Sequence, residues 1–319
     1  MKRTTSITVL LLIMSIIIGC NLFKPDDKEV SYNCLKSINI DGSEDKIVKW
    51  EFEYNYIPES YTDDKANALR FSYDGTRITN GNIVMDRDGS NSVKLLPDSL
   101  LMISYCYTNN FNSMYCTVKG KRYKLVKIDL SSFELDTLID TLDYATVSMF
   151  HSEERLLLHN TLRSYIYDIE ENIIVKDIVL KDVGYPVISN DDNYIYYKKY
   201  SGNLIMSYNI LTEEIEDKGY FGNLYSHDKN NTKFVIYAVG ECRLIEIDND
   251  DWTVSSIGGC GRAFTPTINS SGDYISSKTS KVEIYDSTGL LISEIEISPR
   301  IVYISPNGTE LFYYSTENH

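Results

Sequence analysis

Apolar and polar residues alternate along most of the chain, in short runs that end at glycine, asparagine or aspartate. Residues 165–168 (YIYD), 244–248 (LIEID) and 282–286 (VEIYD) show the pattern. Period-two alternation places apolar side chains on one face of an extended strand, and Asn, Asp and Gly supply the turns. Few stretches carry the period of an amphipathic helix, and the 26 tyrosines suit strands. The pattern predicts an all-β chain.

A short marker recurs through the chain, consisting of an apolar residue, a serine-like residue and a polar turn. Its clear copies are residues 71–75 (FSYDG), 188–192 (ISNDD) and 304–308 (ISPNG). Weaker copies lie at residues 150–154, 225–228, 268–272 and 106–112. Consecutive markers lie about 35 to 45 residues apart, which is the period of a four-stranded propeller blade. We therefore expect a β-propeller of seven four-stranded blades.

The first repeat points to a family. Residues 71–78 (FSYDGTRI), followed by 83–91 (IVMDRDGSN), resemble the WD-like repeat of TolB-type propellers. The resemblance implies a propeller over most of residues 30–319. We expect no α/β domain like the one that precedes the TolB propeller, so the partner-binding role of TolB is not carried over to this chain. Related propellers precede the hydrolase domain of prolyl oligopeptidases, but no G-x-S-x-G nucleophile elbow is present, which argues against that activity.

The two ends of the chain are expected to share one blade. Residues 301–304 and 311–314 supply two strands after the last marker, which alone would leave an open sheet edge. Residues 35–43 resemble the strand and turn at 85–90, and residues 46–52 read as a further strand. A last blade built from both termini would close the ring.

The N-terminus predicts export. Lys2 and Arg3 precede an apolar run at residues 7–18, too short to span a bilayer, and residues 17–20 (IIGC) resemble a bacterial lipobox. We expect a signal peptide at 1–19, lipid on Cys20, a flexible tether at 20–30 and a propeller at 31–319. By the same resemblance Asn21 favours the outer membrane, with the protein facing the periplasm or the cell surface. The lipid would anchor it stably.

Charge narrows the range of partners. The formal net charge of −15 argues against nucleic acid, so we expect an envelope protein or glycan as the partner, besides the membrane that holds the lipid.

In a meander, the A–B and C–D turns share one end of the disc, here named the turn face. The B–C and D–A loops share the other end, the loop face. The acidic residues assigned to the turn face are Asp74, Glu153, Glu154, Glu170, Glu171, Asp191, Asp192, Glu213, Glu214, Asp248, Asp250 and Asp251.

Basic and aromatic residues fall mainly on the loop face, which we take as the candidate binding face. Its members are Lys119, Lys121, Arg122, His159, Arg163, Tyr185, Lys198, Lys199, Tyr220, Phe221, Arg262, Lys278 and Lys281. Arginine and aromatic side chains are common anchors at interfaces. Solvated loop charge is the alternative interpretation.

The sequence reveals no catalytic residues, no metal site and no cofactor. Residues 86–91 (DRDGSN) begin like a calcium loop, but Pro97 stands where a bidentate glutamate belongs, so a β-turn is favoured. The favoured function is a non-catalytic binding or scaffolding module. The alternatives are a propeller enzyme of the lactonase, lyase or glycosidase type, and a small-molecule sensor or carrier.

Five cysteines follow Cys20, and an oxidising compartment would favour bridges between them. Cys106 and Cys116 are expected on adjacent strands and could pair, as could Cys242 and Cys260. Strand register decides whether either pair can bond. Cys34 would then keep its thiol.

Overall fold

The structure is a computed structural model of the chain. It describes residues 31–49, 69–72, 74–80, 82–143, 145–160, 162–180, 182–227, 232–238, 241–248, 251–259, 267–268, 274–278, 281–286, 290–297, 302–305 and 307–318. The predicted signal peptide, Cys20 and the tether lie outside the described residues. Within the described residues every regular element is a β-strand, which confirms the all-β prediction.

The described strands form seven four-stranded antiparallel sheets, the blades of a propeller. Blade 1 contains β3 (Leu69–Phe71), β4 (Arg77–Asn80), β5 (Ile83–Asp86) and β6 (Val93–Lys94). Blade 2 contains β7 (Leu101–Tyr107), β8 (Ser113–Lys119), β9 (Tyr123–Asp129) and β10 (Leu135–Leu142). Blade 3 contains β11 (Thr146–Met149), β12 (Arg155–His159), β13 (Ser164–Asp168) and β14 (Ile173–Ile178).

The second half of the chain repeats this plan. Blade 4 contains β15 (Val183–Ile188), β16 (Tyr194–Lys199), β17 (Leu204–Asn209) and β18 (Ile215–Phe221). Blade 5 contains β19 (Asn223–His227), β20 (Lys233–Ala238), β21 (Glu241–Asp248) and β22 (Asp251–Gly259). Blade 6 contains β23 (Thr267–Ile268), β24 (Tyr274–Lys278), β25 (Lys281–Tyr285) and β26 (Leu291–Ile295). Blade 7 contains β27 (Val302–Ile304), β28 (Glu310–Asn318), β1 (Ser31–Asn39) and β2 (Lys46–Lys49).

Blade 7 confirms the predicted closure from both ends of the chain. Its strand order is β2-β1-β28-β27, and β1 pairs with β28 over nine residues, from Ser31 opposite Asn318 to Asn39 opposite Glu310. Blade 7 also contacts blade 1, since the rings of Phe71 and Phe312 meet edge to face with centroids 5.1 Å apart. The N-terminal strand therefore completes the ring.

The core lies between the blades. Each blade alternates its side chains, so apolar residues of one sheet pack against those of the next. One buried cluster joins Val84, Leu95 and Leu96 of blade 1 to Met114 and Val126 of blade 2. Comparable clusters join blades 2 and 3, 3 and 4, 4 and 5, 6 and 7, and 7 and 1. Blades 5 and 6 meet through β19 and β23.

The sequence marker is a hydrogen-bonded A–B turn. In blade 1 the Ser72 hydroxyl donates to Asp74 Oδ1 at 2.5 Å and accepts from the Arg77 N–H at 2.9 Å. The Ser72 contact is the main cause that lowers the pKa of Asp74. Ser189 and Ser305 accept the same bond from the residue five positions on, as does Thr108 in the degenerate marker. The repeated serine thus satisfies the backbone at the turn.

Candidate functional site

Three basic residues of the candidate binding face cluster at the β8–β9 turn of blade 2. Lys119 ends β8 and lies over the Tyr123 ring, with its ammonium 5.5 Å from the centroid. Arg122 donates to the Thr141 hydroxyl at 3.3 Å, and Lys121 between them is exposed. The turn therefore presents three cationic side chains at the loop face.

Blade 3 and its neighbours add charge and apolar surface to this face. Arg163 lies in the β12–β13 loop and forms an exposed ion pair with Asp177 at 3.0 Å. Leu162 beside it is 68% exposed. Other large apolar residues at this end are also exposed, namely Leu101, Val179 and Phe221. Exposed apolar side chains among charges are a common feature of binding surfaces.

Two predicted members of the binding face are buried, so their assignment is wrong. His159 is 4% exposed, since its Nδ1 lies 2.9 Å from the Ser164 hydroxyl and its Nε2 lies 3.2 Å from the Val183 carbonyl. Lys198 is 8% exposed and lies over the Tyr200 ring. Burial lowers the pKa of Lys198, although Asp182 opposes the shift. Both side chains are buried and therefore do not contribute to an exposed binding surface.

The remaining predicted members of the binding face differ in how far they are exposed and in what they contact. Phe221 and the half-buried Lys199 lie at strand ends of blade 4, whereas Tyr220 stacks on Trp252 with centroids 5.7 Å apart. Lys281 is paired with Glu283 and Glu294. Tyr185 lies in β15 and Lys278 ends β24, while Arg262 lies outside the described residues. The predicted members that the structure shows as exposed are therefore concentrated on blades 2 to 4.

The strand register does not favour the possible bridge between Cys106 and Cys116. In the β7–β8 register Cys106 lies opposite Tyr115, and Cys116 lies opposite Tyr105. Because neighbouring residues of a strand point to opposite faces, the two thiols lie on opposite sides of blade 2. Cys116 packs towards blade 1 and Cys106 towards blade 3, and both remain thiols, as does Cys34. Burial raises the pKa of Cys116. The Cys242–Cys260 prediction lies partly outside the described residues.

A cleft that sequence analysis did not identify opens between blades 1 and 2, near the turn face. It has a volume of about 310 Å³. Arg77 and Asp86 lie opposite each other on β4 and β5, and Val84 and Val93 form the next pair outward on β5 and β6. The register places all four side chains on one face of blade 1. The other lining residues are Met85, Asn91 and Phe133, the last from the C–D turn of blade 2.

The cleft has a polar end and an apolar wall. The Arg77 guanidinium donates to the Leu130 carbonyl at 3.4 Å and forms no ion pair with any carboxylate of the described residues. Asp86 accepts from the Asn91 amide at 2.6 Å through Oδ2. Phe133 is 36% exposed and has a φ of 59°, a left-handed conformation that is rare for a bulky residue. The cleft therefore offers one cation, one anion and an aromatic ring.

Among the described residues, no group of three or more His, Cys, Asp or Glu side chains is placed to hold a metal ion. No helix in that part of the chain is long and apolar enough to cross a membrane.

Comparison with known proteins defines the fold. No family model and no curated protein matches the chain. Among solved structures, it is similar to TolB from Acinetobacter baumannii, with a TM-score of 0.52 and 12% identity over 79% of this chain and 63% of that one. The chain thus spans less than two thirds of the TolB chain.

Two further solved structures show the same likeness. Hydrazine synthase of Kuenenia stuttgartiensis gives a TM-score of 0.57 with 12% identity, over 83% of this chain and 99% of that one. A chain of a mitotic checkpoint complex gives 0.58 with 11% identity, over 81% and 89%. At this identity the likeness establishes the fold alone. The chain therefore has a β-propeller fold similar to that of TolB.

Proposed function

We propose that the protein is a lipid-anchored component of the cell envelope whose propeller is a non-catalytic binding module. Cys20 carries the lipid, and the loop face of blades 2 to 4 binds an envelope protein or glycan. One observation supports the choice of surface: exposed Lys121, Arg122 and Arg163 lie at the same end of the disc as the exposed Leu162.

The opposite end has a different character. The turn face of the described blades carries exposed Glu154, Glu170, Glu171 and Glu214, which would repel an acidic partner that the basic side chains of the loop face would attract. Exposed ion pairs such as Arg163 with Asp177 contribute little to folding. The loop charges are therefore available for steering and for complementarity with a partner.

A matched pair of variants tests the surface. Four changes on the loop face, Lys119→Glu, Lys121→Glu, Arg122→Glu and Arg163→Glu, should reduce cross-linking of the mature protein to envelope partners at least about tenfold. The control reverses four charges on the turn face, Glu154, Glu170, Glu171 and Glu214, each to Lys. Both variants should unfold at nearly the wild-type temperature. Loss of cross-linking in the control alone would assign binding to the turn face.

The anchor needs its own test. A Cys20→Ser variant should lose incorporation of labelled fatty acid and leave the membrane fraction. Retention of both label and membrane association would contradict lipidation at Cys20. Turnover of a lactone, a glycoside or a polyuronate by purified wild-type protein would favour the enzyme alternative.

A further inference from the structure

The cleft between blades 1 and 2 differs from the equivalent interface between blades 3 and 4, where the cation at the C–D turn is paired with a carboxylate of the protein. The C–D turn of blade 2 (residues 129–134, DLSSFE) has the same hydrogen bonds as that of blade 4 (residues 209–214, NILTEE). Residue 130 corresponds to 210, and 133 to 213. Phe133 and Glu213 both have left-handed backbones, with φ of 59° and 64°.

In both interfaces a cation from the preceding blade reaches the C–D turn. Between blades 3 and 4, the Lys176 ammonium donates to the Ile210 carbonyl at 2.6 Å and pairs with Glu213 at 2.8 Å. Between blades 1 and 2, Arg77 donates to the equivalent Leu130 carbonyl. Its turn, however, carries Phe133 where blade 4 carries the glutamate. Arg77 thus has the same carbonyl contact as Lys176 but lacks the carboxylate.

We propose that the cleft binds a free α-amino acid with an apolar side chain, whose carboxylate takes the place next to Arg77 that Glu213 occupies next to Lys176. A guanidinium binds a carboxylate through two parallel hydrogen bonds, and such bonds are stronger than neutral ones. Arg77 makes one long hydrogen bond, to the Leu130 carbonyl, so its other N–H groups can donate to a ligand.

Asp86 gives the site its selectivity for a zwitterion. It lies directly across the β4–β5 pair from Arg77, and opposed residues on a sheet have Cβ atoms about 5 Å apart. Its Oδ1 accepts no hydrogen bond from the described residues. A simple anion would meet repulsion there, whereas the α-ammonium group of an amino acid would pair with it.

The apolar wall fits the side chain of such a ligand. Val84, Val93 and Phe133 line the cleft beside the charged pair. The volume of about 310 Å³ is at the lower end of ligand pockets, which suits a single amino acid rather than a longer peptide. The Phe133 ring stays partly exposed over this wall, where it can contact the side chain of the ligand.

Calorimetric titration of the mature protein with L-leucine and L-phenylalanine tests the proposal. We expect saturable binding of at least one of them. The matched probes are 4-methylpentanoate, which lacks the ammonium group, and isopentylamine, which lacks the carboxylate. Each should bind at least about tenfold more weakly than leucine. Equal binding of 4-methylpentanoate and leucine would overturn the role of Asp86, and no binding of either amino acid would overturn the site.

Variants locate the binding. Arg77→Gln should weaken binding of the amino acid at least about tenfold, since it removes the charge that the carboxylate meets. Phe133→Glu should abolish binding, because it supplies an internal carboxylate as in blade 4. The matched control is Arg155→Gln, since Arg155 lies opposite Asp168 as Arg77 lies opposite Asp86 but its guanidinium covers the Phe150 ring.

The thermal unfolding of each variant separates folding from binding. Phe133→Glu should unfold at or above the wild-type temperature while losing the ligand. Unchanged binding in Phe133→Glu, or equal losses in Arg77→Gln and Arg155→Gln, would overturn the proposal. The loop-face variants described above should bind the amino acid normally, so failure at the cleft leaves the envelope function untouched.

Discussion

The C–D turns of blades 2 and 4 share one backbone design but meet their neighbours differently. Asp129 and Asn209 each accept N–H bonds from the two and three residues further on, at 2.8 to 2.9 Å. In blade 4, Glu213 of this turn forms an ion pair with Lys176 of blade 3. In blade 2 an aromatic residue stands there, and a cleft remains.

The difference shows how a repeat fold can acquire a specialised site. The turn backbone is maintained by local hydrogen bonds, so the residue at the left-handed position is free to vary. Asn172 occupies it in blade 3, Glu213 in blade 4 and Phe133 in blade 2. Asparagine suits the conformation and phenylalanine does not. The residue at this one position therefore decides whether the turn forms an ion pair with the neighbouring blade or lines a cleft.

The largest expected contrast lies in the packing of the two interfaces. Phe150→Ala should destabilise the protein by about 3–5 kcal/mol, since its ring is fully buried between blades 3 and 4. Phe133→Ala should destabilise the protein clearly less than Phe150→Ala does, because Phe133 is already 36% exposed. Urea unfolding measures both. Equal losses would mean that Phe133 is a core residue and that the cleft is closed in solution.

The next effect concerns the cation of the closed interface. Lys176→Met should cost about 1–2 kcal/mol, because the Ile210 carbonyl loses a charged donor and Glu213 loses its partner. Hydrogen bonding to Glu213 raises the pKa of Lys176, which agrees with that pairing. Arg77→Met should cost less, since its bond to Leu130 is longer. The reverse order in chemical denaturation would contradict the comparison.

A smaller, stabilising change is expected at Phe133. Phe133→Asn should stabilise the fold by about 0.5–1 kcal/mol, because asparagine tolerates a φ near 59° better than phenylalanine does. Differential scanning calorimetry would show a higher unfolding temperature. The matched change Asn172→Phe should lower it, since Asn172 also accepts a hydrogen bond from the Tyr167 hydroxyl. A stabilising Asn172→Phe would contradict this account.

The smallest effect is a dependence on pH. Hydrogen bonds from the Ser131 hydroxyl and from the N–H groups of Ser132 and Ser131 lower the pKa of Asp129 to about 2. Its contribution to stability is complete above the ordinary aspartate pKa of about 3.9 and is lost as the pH falls towards about 2. Asp129→Asn, which copies Asn209, should leave the stability at pH 7 unchanged and flatten its fall in acid. Urea midpoints at pH 7 and pH 3 that fall in parallel with those of the wild type would contradict the assignment.

The sequence predicted the features that depend on local periodicity. The marker was recognisable because Ser72 and Asp74 bond within one turn, and the alternation that follows defines the strands. Features set by register were not predictable in the same way. A shift of one residue moves a side chain to the other face of the sheet, which is why Cys106 and Cys116 lie on opposite sides.

The cleft depends on a pairing between blades that no single repeat contains. Arg77 and Phe133 lie 56 positions apart and belong to different blades, so neither repeat alone indicates their proximity. Alignment of residues 129–134 with 209–214 would have given one clue, because phenylalanine replaces glutamate in an otherwise similar turn. His159 was assigned to a loop, but it ends β12, where the Ser164 and Val183 contacts hold it inside.

Because blade 7 pairs strands from both ends of the chain, the positions of the chain termini could be moved without changing the propeller. Because Ser31 lies opposite Asn318, a short flexible peptide could join β28 directly to β1 as an ordinary hairpin. New ends could then be opened at the exposed turn between β8 and β9 without removing any strand pairing. Such a circular permutant would keep all seven sheets, and blade 7 would become a single continuous segment.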